Sequence, residues 1–259
     1  MIIYRKVIVS GDVLEVYSYE RPPKNNFEVT DGYEERFNDI EDGLDLRGDR
    51  KDERRLQTVR DARNLTRRLA LMNFNSKDKF ITLTYAENMT CLNRADDDFK
   101  KFIMRLKYQY GIKELKYLAV RERQKRGAVH FHLLCNWDVE LIDEKQIRNL
   151  ERHIGEKVWK FGFVDIKPIG HVDNVGAYLI KYMTKNLSIE LYKGKKLYLC
   201  SRGLERPVEY SGLEAEALIK FYELDNKKEV FTNCYESEYL GKITYFEYNK
   251  NRFTAPIIT

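Results

Sequence analysis

Apolar and polar positions alternate through residues 1–20 and break at Gly11-Asp12, a pattern that predicts an N-terminal hairpin. Residues 21–50 lose that pattern. Pro22-Pro23 and a following acidic run read as a linker or a partly ordered extension. From Lys51 to Phe74 the spacing changes, with Leu56, Val59, Leu65, Leu69 and Met72 recurring among arginines, which predicts an amphipathic basic helix. FITLTY, residues 80–85, is rich in β-branched and aromatic side chains and predicts a strand. Asp96–Tyr110 has helical spacing, with Phe99, Phe102, Ile103 and Leu106 on one side. Leu115–Glu122 and Ala128–Trp137 predict two strands joined by the turn-prone Gln124-Lys125-Arg126-Gly127. A helix over Asp143–Trp159, a strand over Phe163–Pro168 and a helix over Asp173–Asn186, with Asp173 as its N-cap, complete the series.

The order β-α-β-β-α-β-α implies an α+β fold: a ferredoxin-like, split βαβ antiparallel sheet with helices on one face. N- and C-terminal extensions flank it. The chain divides on this reading into a hairpin and acidic linker (1–50), a basic helix (51–75), the core (76–187) and a C-terminal extension packing on the core (188–259). That extension holds strand-like Lys196–Cys200 and Lys242–Tyr248 and a helix-like Leu213–Tyr222, and is expected either to buttress the core sheet or to dock the hairpin of residues 1–20. Neither an internal repeat nor a low-complexity tract is present.

Composition narrows the class. A chain of 259 residues with 43 % hydrophobic and 34 % charged residues, 18 Tyr and 13 Phe reads as globular, with many rings available for packing or stacking. No stretch approaches the roughly 18 uninterrupted apolar residues of a membrane span, and the first residues lack the apolar run of a signal peptide, so the expected location is the cytoplasm. The four cysteines form no CxxC pair, which argues against a zinc ribbon or a disulfide framework. Net charge is +5, and it is distributed unevenly. Asp31–Asp49 holds eight acidic residues, Arg50–Arg68 eight basic ones, and Lys100–Arg126 ten basic ones. Such blocks are either solvated faces or a surface that tracks phosphates.

Chemistry concentrates in three places. His130 and His132 are i and i+2 on a strand, so both rings project from one face, where two imidazoles can chelate an ion. An isolated His-x-His is more often two unrelated packed or exposed residues. Glu122 ends the preceding strand, and cross-strand pairing can bring its carboxylate beside the histidines, although it can equally be a surface partner of Arg121 or Arg123. Two imidazoles and a carboxylate with positions left open suit Mn2+ or Mg2+ in a catalytic role. In YLIKYMTK, Tyr178 and Tyr182 are i,i+4 on a helix, each with a lysine three residues on, Lys181 and Lys185. Aromatics at that spacing are usually core, but a phenol with an ordinary pKa near 10 needs cationic help to act as a nucleophile, and here lysines stand beside it.

FITLTY, then HFHLL, then YLIKYMTK, in that order, resemble the three motifs of HUH endonucleases of the rolling-circle replication initiator type. The resemblance covers residues 80–186 and is nearest to initiators of bacterial plasmids and phages, including filamentous phage gene II and icosahedral phage gene A proteins. It implies that Glu122, His130 and His132 are metal ligands, and that Tyr178 or Tyr182 cuts single-stranded DNA to leave a 5'-phosphotyrosine and a free 3'-hydroxyl. In relaxases the tyrosine precedes the histidine motif, whereas here it follows, and the paired tyrosines favour an initiator over the smallest transposases. No GxxxxGK[ST] is present, so unwinding would fall to a host helicase and extension to a host DNA polymerase. Origin DNA is the expected partner, with Arg54, Arg60, Arg63 and Arg67 on the basic helix as its expected contacts. The readings competing with this one are a transposase or mobilisation protein of the same chemistry, and a nucleic-acid-binding module that does not cut.

Overall fold

The structure, a computed structural model, describes residues 4–22, 50–140, 143–170, 172, 174–184 and 196–253; the side chains at 50–56 and 184 lie outside that description. In chain order the elements are β1 (Tyr4–Ser10), β2 (Val13–Tyr19), α1 (Arg50–Asn73), β3 (Lys79–Tyr85), α2 (Leu92–Tyr110), β4 (Tyr117–Arg123) and β5 (Val129–Cys135). Then follow α3 (Glu144–His153), a wide helical turn (Ile154–Trp159), β6 (Gly162–Pro168), α4 (Val175–Thr184) and β7 (Tyr198–Cys200). β8 (Val208–Ser211), α5 (Gly212–Phe221), β9 (Phe231–Ser237) and β10 (Gly241–Asn249) are the last strands and α-helix among the described residues. Among the described residues, no helix is long and apolar enough to cross a membrane. The chain forms two compact units, Met1–Asn64 with Arg206–Thr259, and Leu65–Glu205.

The second unit carries the chemistry. Its sheet runs β6-β3-β5-β4-β7 with every neighbouring pair antiparallel. Taken alone, β3, β4, β5 and β6 stand in the spatial order fourth, first, third, second, the arrangement of a split βαβ. The period of two sorts each strand into faces. Ile81, Leu83, Phe131 and Leu133 point to one side, where Phe99, Phe102 and Leu106 of α2 and Trp159 of the wide turn close over them. Phe99 and Phe131 stack at 4.8 Å, and each such fully buried side chain contributes about 1.5 to 3 kcal/mol. The predicted single helix over Asp143–Trp159 is α3, capped by Asp143 accepting from the Gln146 N–H, and then the wide turn, which stops at Lys160 in a left-handed conformation.

The two crossover helices share that face, while α4 lies against β4 and β5 from the other side. The fold therefore has helices on both faces of the core sheet, with the tyrosine-bearing one on the histidine side. Its N-cap is Asn174, whose side-chain oxygen accepts from the Ala177 N–H at 2.8 Å, one residue beyond the predicted cap. Asp173, like His171, lies outside the described residues. Gly176 permits a close approach: a Cβ there would collide with the carbonyl oxygen of Arg67 near the end of α1.

The first unit is a second antiparallel sheet in the order β8-β1-β2-β10-β9. Ala215 and Ile219 of α5 pack with Val7, Leu14 and Val16 on one face. On the other, Tyr17 and Tyr245 meet at 5.0 Å, and the buried carboxylates Glu15 and Glu247 stand opposite one another, each 3.0 Å from the Tyr245 hydroxyl. Of the stretch after residue 188, Tyr198–Cys200 joins the core sheet, whereas β8 pairs with β1, β10 with β2 and β9 with β10, so one part buttresses the core sheet and the rest docks on the N-terminal hairpin to form a second sheet.

Candidate active site

The histidine face is built from cross-strand rows. Glu122 of β4, His130 of β5 and Thr84 of β3 stand directly opposite one another, and the next row holds Val120, His132 and Thr82. Directly opposed residues share a face, so these side chains converge by register alone. His132 is 4 % exposed and fully engaged: its Nε2 is 2.7 Å from Glu122 Oε2, and its Nδ1 is 3.1 Å from Thr82 Oγ1. His130 is 7 % exposed, with Nδ1 3.5 Å from Thr84 Oγ1 and Nε2 buried without a hydrogen-bond partner. Burial first, then the neighbouring His132, pushes the His130 pKa down to about 4, so the ring is neutral at physiological pH and a nitrogen lone pair is available.

α4 lays its tyrosines over this row. The Tyr182 ring stacks on His132 with centroids 3.7 Å apart and planes 18° apart. Tyr178 meets Tyr182 edge-on at 6.0 Å, and Phe80 contacts both at 4.8 and 5.6 Å. Lys181 places its ammonium over the Tyr178 ring at 3.6 Å and near that of Tyr182 at 4.9 Å. Burial, then a hydrogen bond with Tyr178, then the carboxylates of Glu122 and Asp165 push the Tyr182 pKa well above the ordinary phenol value. The phenol thus stays protonated until positive charge offsets those carboxylates.

The donor chemistry fits a divalent cation, with a neutral buried imidazole nitrogen lacking a partner beside an imidazole–carboxylate pair. The three donors do not converge as placed. Among the described residues no group of three His, Cys, Asp or Glu forms a ready cage, and the two imidazole centroids stand 6.4 Å apart. The hydrogen-bonded His132–Glu122 pair is the preformed part.

The expected DNA contacts on α1 are differently placed. Arg63 and Arg67, one helical turn apart, are 3 % and 1 % exposed, and burial brings the Arg63 pKa down to about 9. Their density read as a solvated cationic face, but the long aliphatic stem of arginine lets it fill a packed helix side. Arg60 keeps partial exposure, the Arg54 side chain lies outside the described residues, and so does Lys185. Four contributors escaped the sequence reading. Thr82 and Thr84 sit behind the imidazoles; Asp165 and Lys167, an ion pair at 3.1 Å on β6, lie beside the tyrosines. The alternation of Thr with Ile and Leu in FITLTY was the available signal for the first two.

Residues 78–187 match the family model for replication-associated proteins of the ORF2 and gene II protein kind. The match begins beside β3 and ends just past α4, so the similarity falls on the sheet and helix that carry the site. This part of the chain is similar to replication-associated proteins. Searches of curated proteins and of solved structures returned no match.

Proposed function

We propose that the protein is a replication initiator that nicks single-stranded origin DNA through a tyrosine and later rejoins the strand, as in rolling-circle replication. The stacking of Tyr182 on His132, itself bonded to Glu122, carries this reading, because it sets a candidate nucleophile against the residues best suited to hold a metal. The similarity of residues 78–187 to replication-associated proteins supports the biological setting.

In the proposed reaction the Tyr182 oxygen attacks the scissile phosphorus as the phenolic proton passes to solvent, the bond from phosphorus to the 3' oxygen breaks, and that oxygen takes up a proton from solvent. The product is a 5'-phosphotyrosine and a free 3'-hydroxyl for a host polymerase to extend. Glu122, His130 and His132 would hold Mn2+ or Mg2+, which when bound supplies Lewis-acid polarisation of a phosphate oxygen. The Lys181 ammonium stabilises negative charge near both phenols. Tyr178, one helical turn away, stands ready for a second transfer that closes the circle. One phosphodiester is exchanged for another of similar energy, so cutting and joining need no ATP, and a separate helicase would open the duplex.

The test is incubation of the protein with single-stranded oligonucleotides tiled across the DNA of its own replicon, with Mn2+ or with EDTA. Metal-dependent cleavage with a covalent adduct mapped to α4 by mass spectrometry is expected. Binding without any cleavage on every oligonucleotide would favour the non-cutting module instead.

A further inference from the structure

The histidine face continues past Thr84 onto β6, the edge strand of the core sheet. Phe163 pairs directly with Thr84, which in turn pairs with His130, so Phe163, Thr84, His130 and Glu122 form one row across four strands. Thr84 turns its hydroxyl toward His130, and opposed residues share a face, so Phe163 rises from the histidine side of the sheet. Its chain neighbours Val164 and Ile166 turn the other way into the core. The Phe163 ring is 70 % exposed, although it stands on the same face as buried His130 and His132. Two strand spacings put its Cα about 10 Å from that of His130, a span of one to two nucleotides of extended single strand.

A cation is held at the same end of the site. Arg126, in the β4–β5 turn, donates from Nη2 to the Tyr85 carbonyl at 2.8 Å and from Nε to Gln124 Oε1 at 3.0 Å. Tyr85 is the residue after Thr84 and pairs with Gly162, the residue before Phe163. The guanidinium is therefore fixed one step along β3 from the Phe163 row, at the turn that leads into β5. These two bonds use two of its five N–H donors. A solvated ring next to an anchored guanidinium, both in register with the reacting groups, matches what a single strand requires: a π face for a base and a donor array for a phosphate.

We propose that Phe163 and Arg126 form a nucleotide subsite, in which the base next to the cut phosphodiester stacks on Phe163 while Arg126 binds the adjoining backbone phosphate. The subsite rests on the reading of the protein as a single-strand nickase and adds the position where the strand is gripped. Stacking is tolerant of base identity, so this subsite sets the register of the strand on the sheet and leaves sequence choice to other contacts.

The experiment uses the full chain carrying Tyr178→Phe and Tyr182→Phe, so that bound DNA stays uncut, and measures affinity for a mixed-sequence single-stranded oligonucleotide over a range of salt. Phe163→Ala in that background is expected to weaken binding roughly 5- to 150-fold with an unchanged salt slope. Phe163→Trp is expected to retain affinity, and its indole, exposed where Trp137 and Trp159 are buried, is expected to lose fluorescence as DNA binds. Arg126→Ala is expected to weaken binding and reduce the salt slope by about 0.7. Binding by Phe163→Ala equal to that of the parent, or an unquenched Phe163→Trp, overturns the subsite while leaving the nickase reading intact. No binding of single strands by the parent overturns both.

Discussion

Tyr182 lies flat on His132, 3.7 Å between centroids, while Tyr178 meets the Tyr182 ring edge-on, so the two tyrosines of one helix face are not equivalent. Glu122 is among the groups that oppose ionisation of the Tyr182 phenol, so this phenol gains when the carboxylate is neutralised. We expect Tyr182→Phe to abolish the first covalent adduct, with a loss of roughly a thousandfold or more in cleavage rate. Tyr178→Phe should leave first-strand cleavage largely intact and impair rejoining. Quantifying the trapped adduct in each variant decides the assignment, and an adduct on Tyr178 in the unaltered protein would reverse it.

Thr82 gives His132 a hydroxyl that can donate or accept. With a proton shared between Nε2 and Glu122, Nδ1 accepts from the hydroxyl; with an ion on Nε2, Nδ1 must carry the proton and donate. Valine has the same shape and can do neither, leaving a buried N–H unsatisfied in the loaded state. Thr82→Val should therefore weaken Mn2+ binding about 10- to 100-fold, and Thr82→Ser should restore most of it. Titration calorimetry or Mn2+ magnetic resonance on the DNA-free protein reads this directly, and equal affinities for all three proteins would exclude the role.

His130 also makes stability depend on pH. Its folded pKa, about 4, is below the ordinary 6.5, so between those values the unfolded chain binds a proton that the folded chain does not. Stability from this group is complete above pH 6.5 and is lost as pH falls toward 4. His130→Gln removes the titration. The stability difference between the two proteins, measured by urea unfolding at pH 7.5, 6 and 4.5 without metal, should shift toward the variant as pH drops; a difference that stays constant with pH would refute it.

Much of the site was legible because a strand has a strict period of two. His130 and His132 had to share a face, and the short turn before them put Glu122 across the hairpin from His130, with no knowledge of the sheet required. The order of elements likewise implied the split βαβ. It does not say which face a following helix takes, so α4 on the opposite side from α2 and α3 had no local signal. The burial of Arg63 and Arg67 was not legible for a different reason: charge density is a property of sequence, whereas burial of an aliphatic stem is decided by what packs against it. Phe163 was legible only as a strand residue. Its position beside the site depends on β6 pairing with β3, and its exposure on how the chain packs at that end of the sheet, both set by contacts distant in sequence. The pairing of β8 and β10 with the N-terminal hairpin, across some 190 residues or more, was legible only as one of two possible roles for the C-terminal stretch, because its register depends on contacts equally distant in sequence.

The contact between Gly176 and Arg67 ties the position of the tyrosine helix to α1. A Cβ on Gly176 would meet the carbonyl oxygen of Arg67 and its Cγ, and a helix backbone atom cannot step aside as a side-chain tip can. In an open helix Gly→Ala is favourable by about 1 kcal/mol, because alanine loses less backbone freedom on folding. Here the collision should dominate. Gly176→Ala is expected to destabilise the protein by roughly 1 to 3 kcal/mol, the usual cost of overpacking. Because relief requires α4 to move, the Tyr182–His132 stack should be disturbed as well, and cleavage should fall even at temperatures where the variant is fully folded. Urea unfolding together with a single-turnover nicking assay separates the two effects. A variant as stable and as active as the parent would show that α4 is not held by this contact.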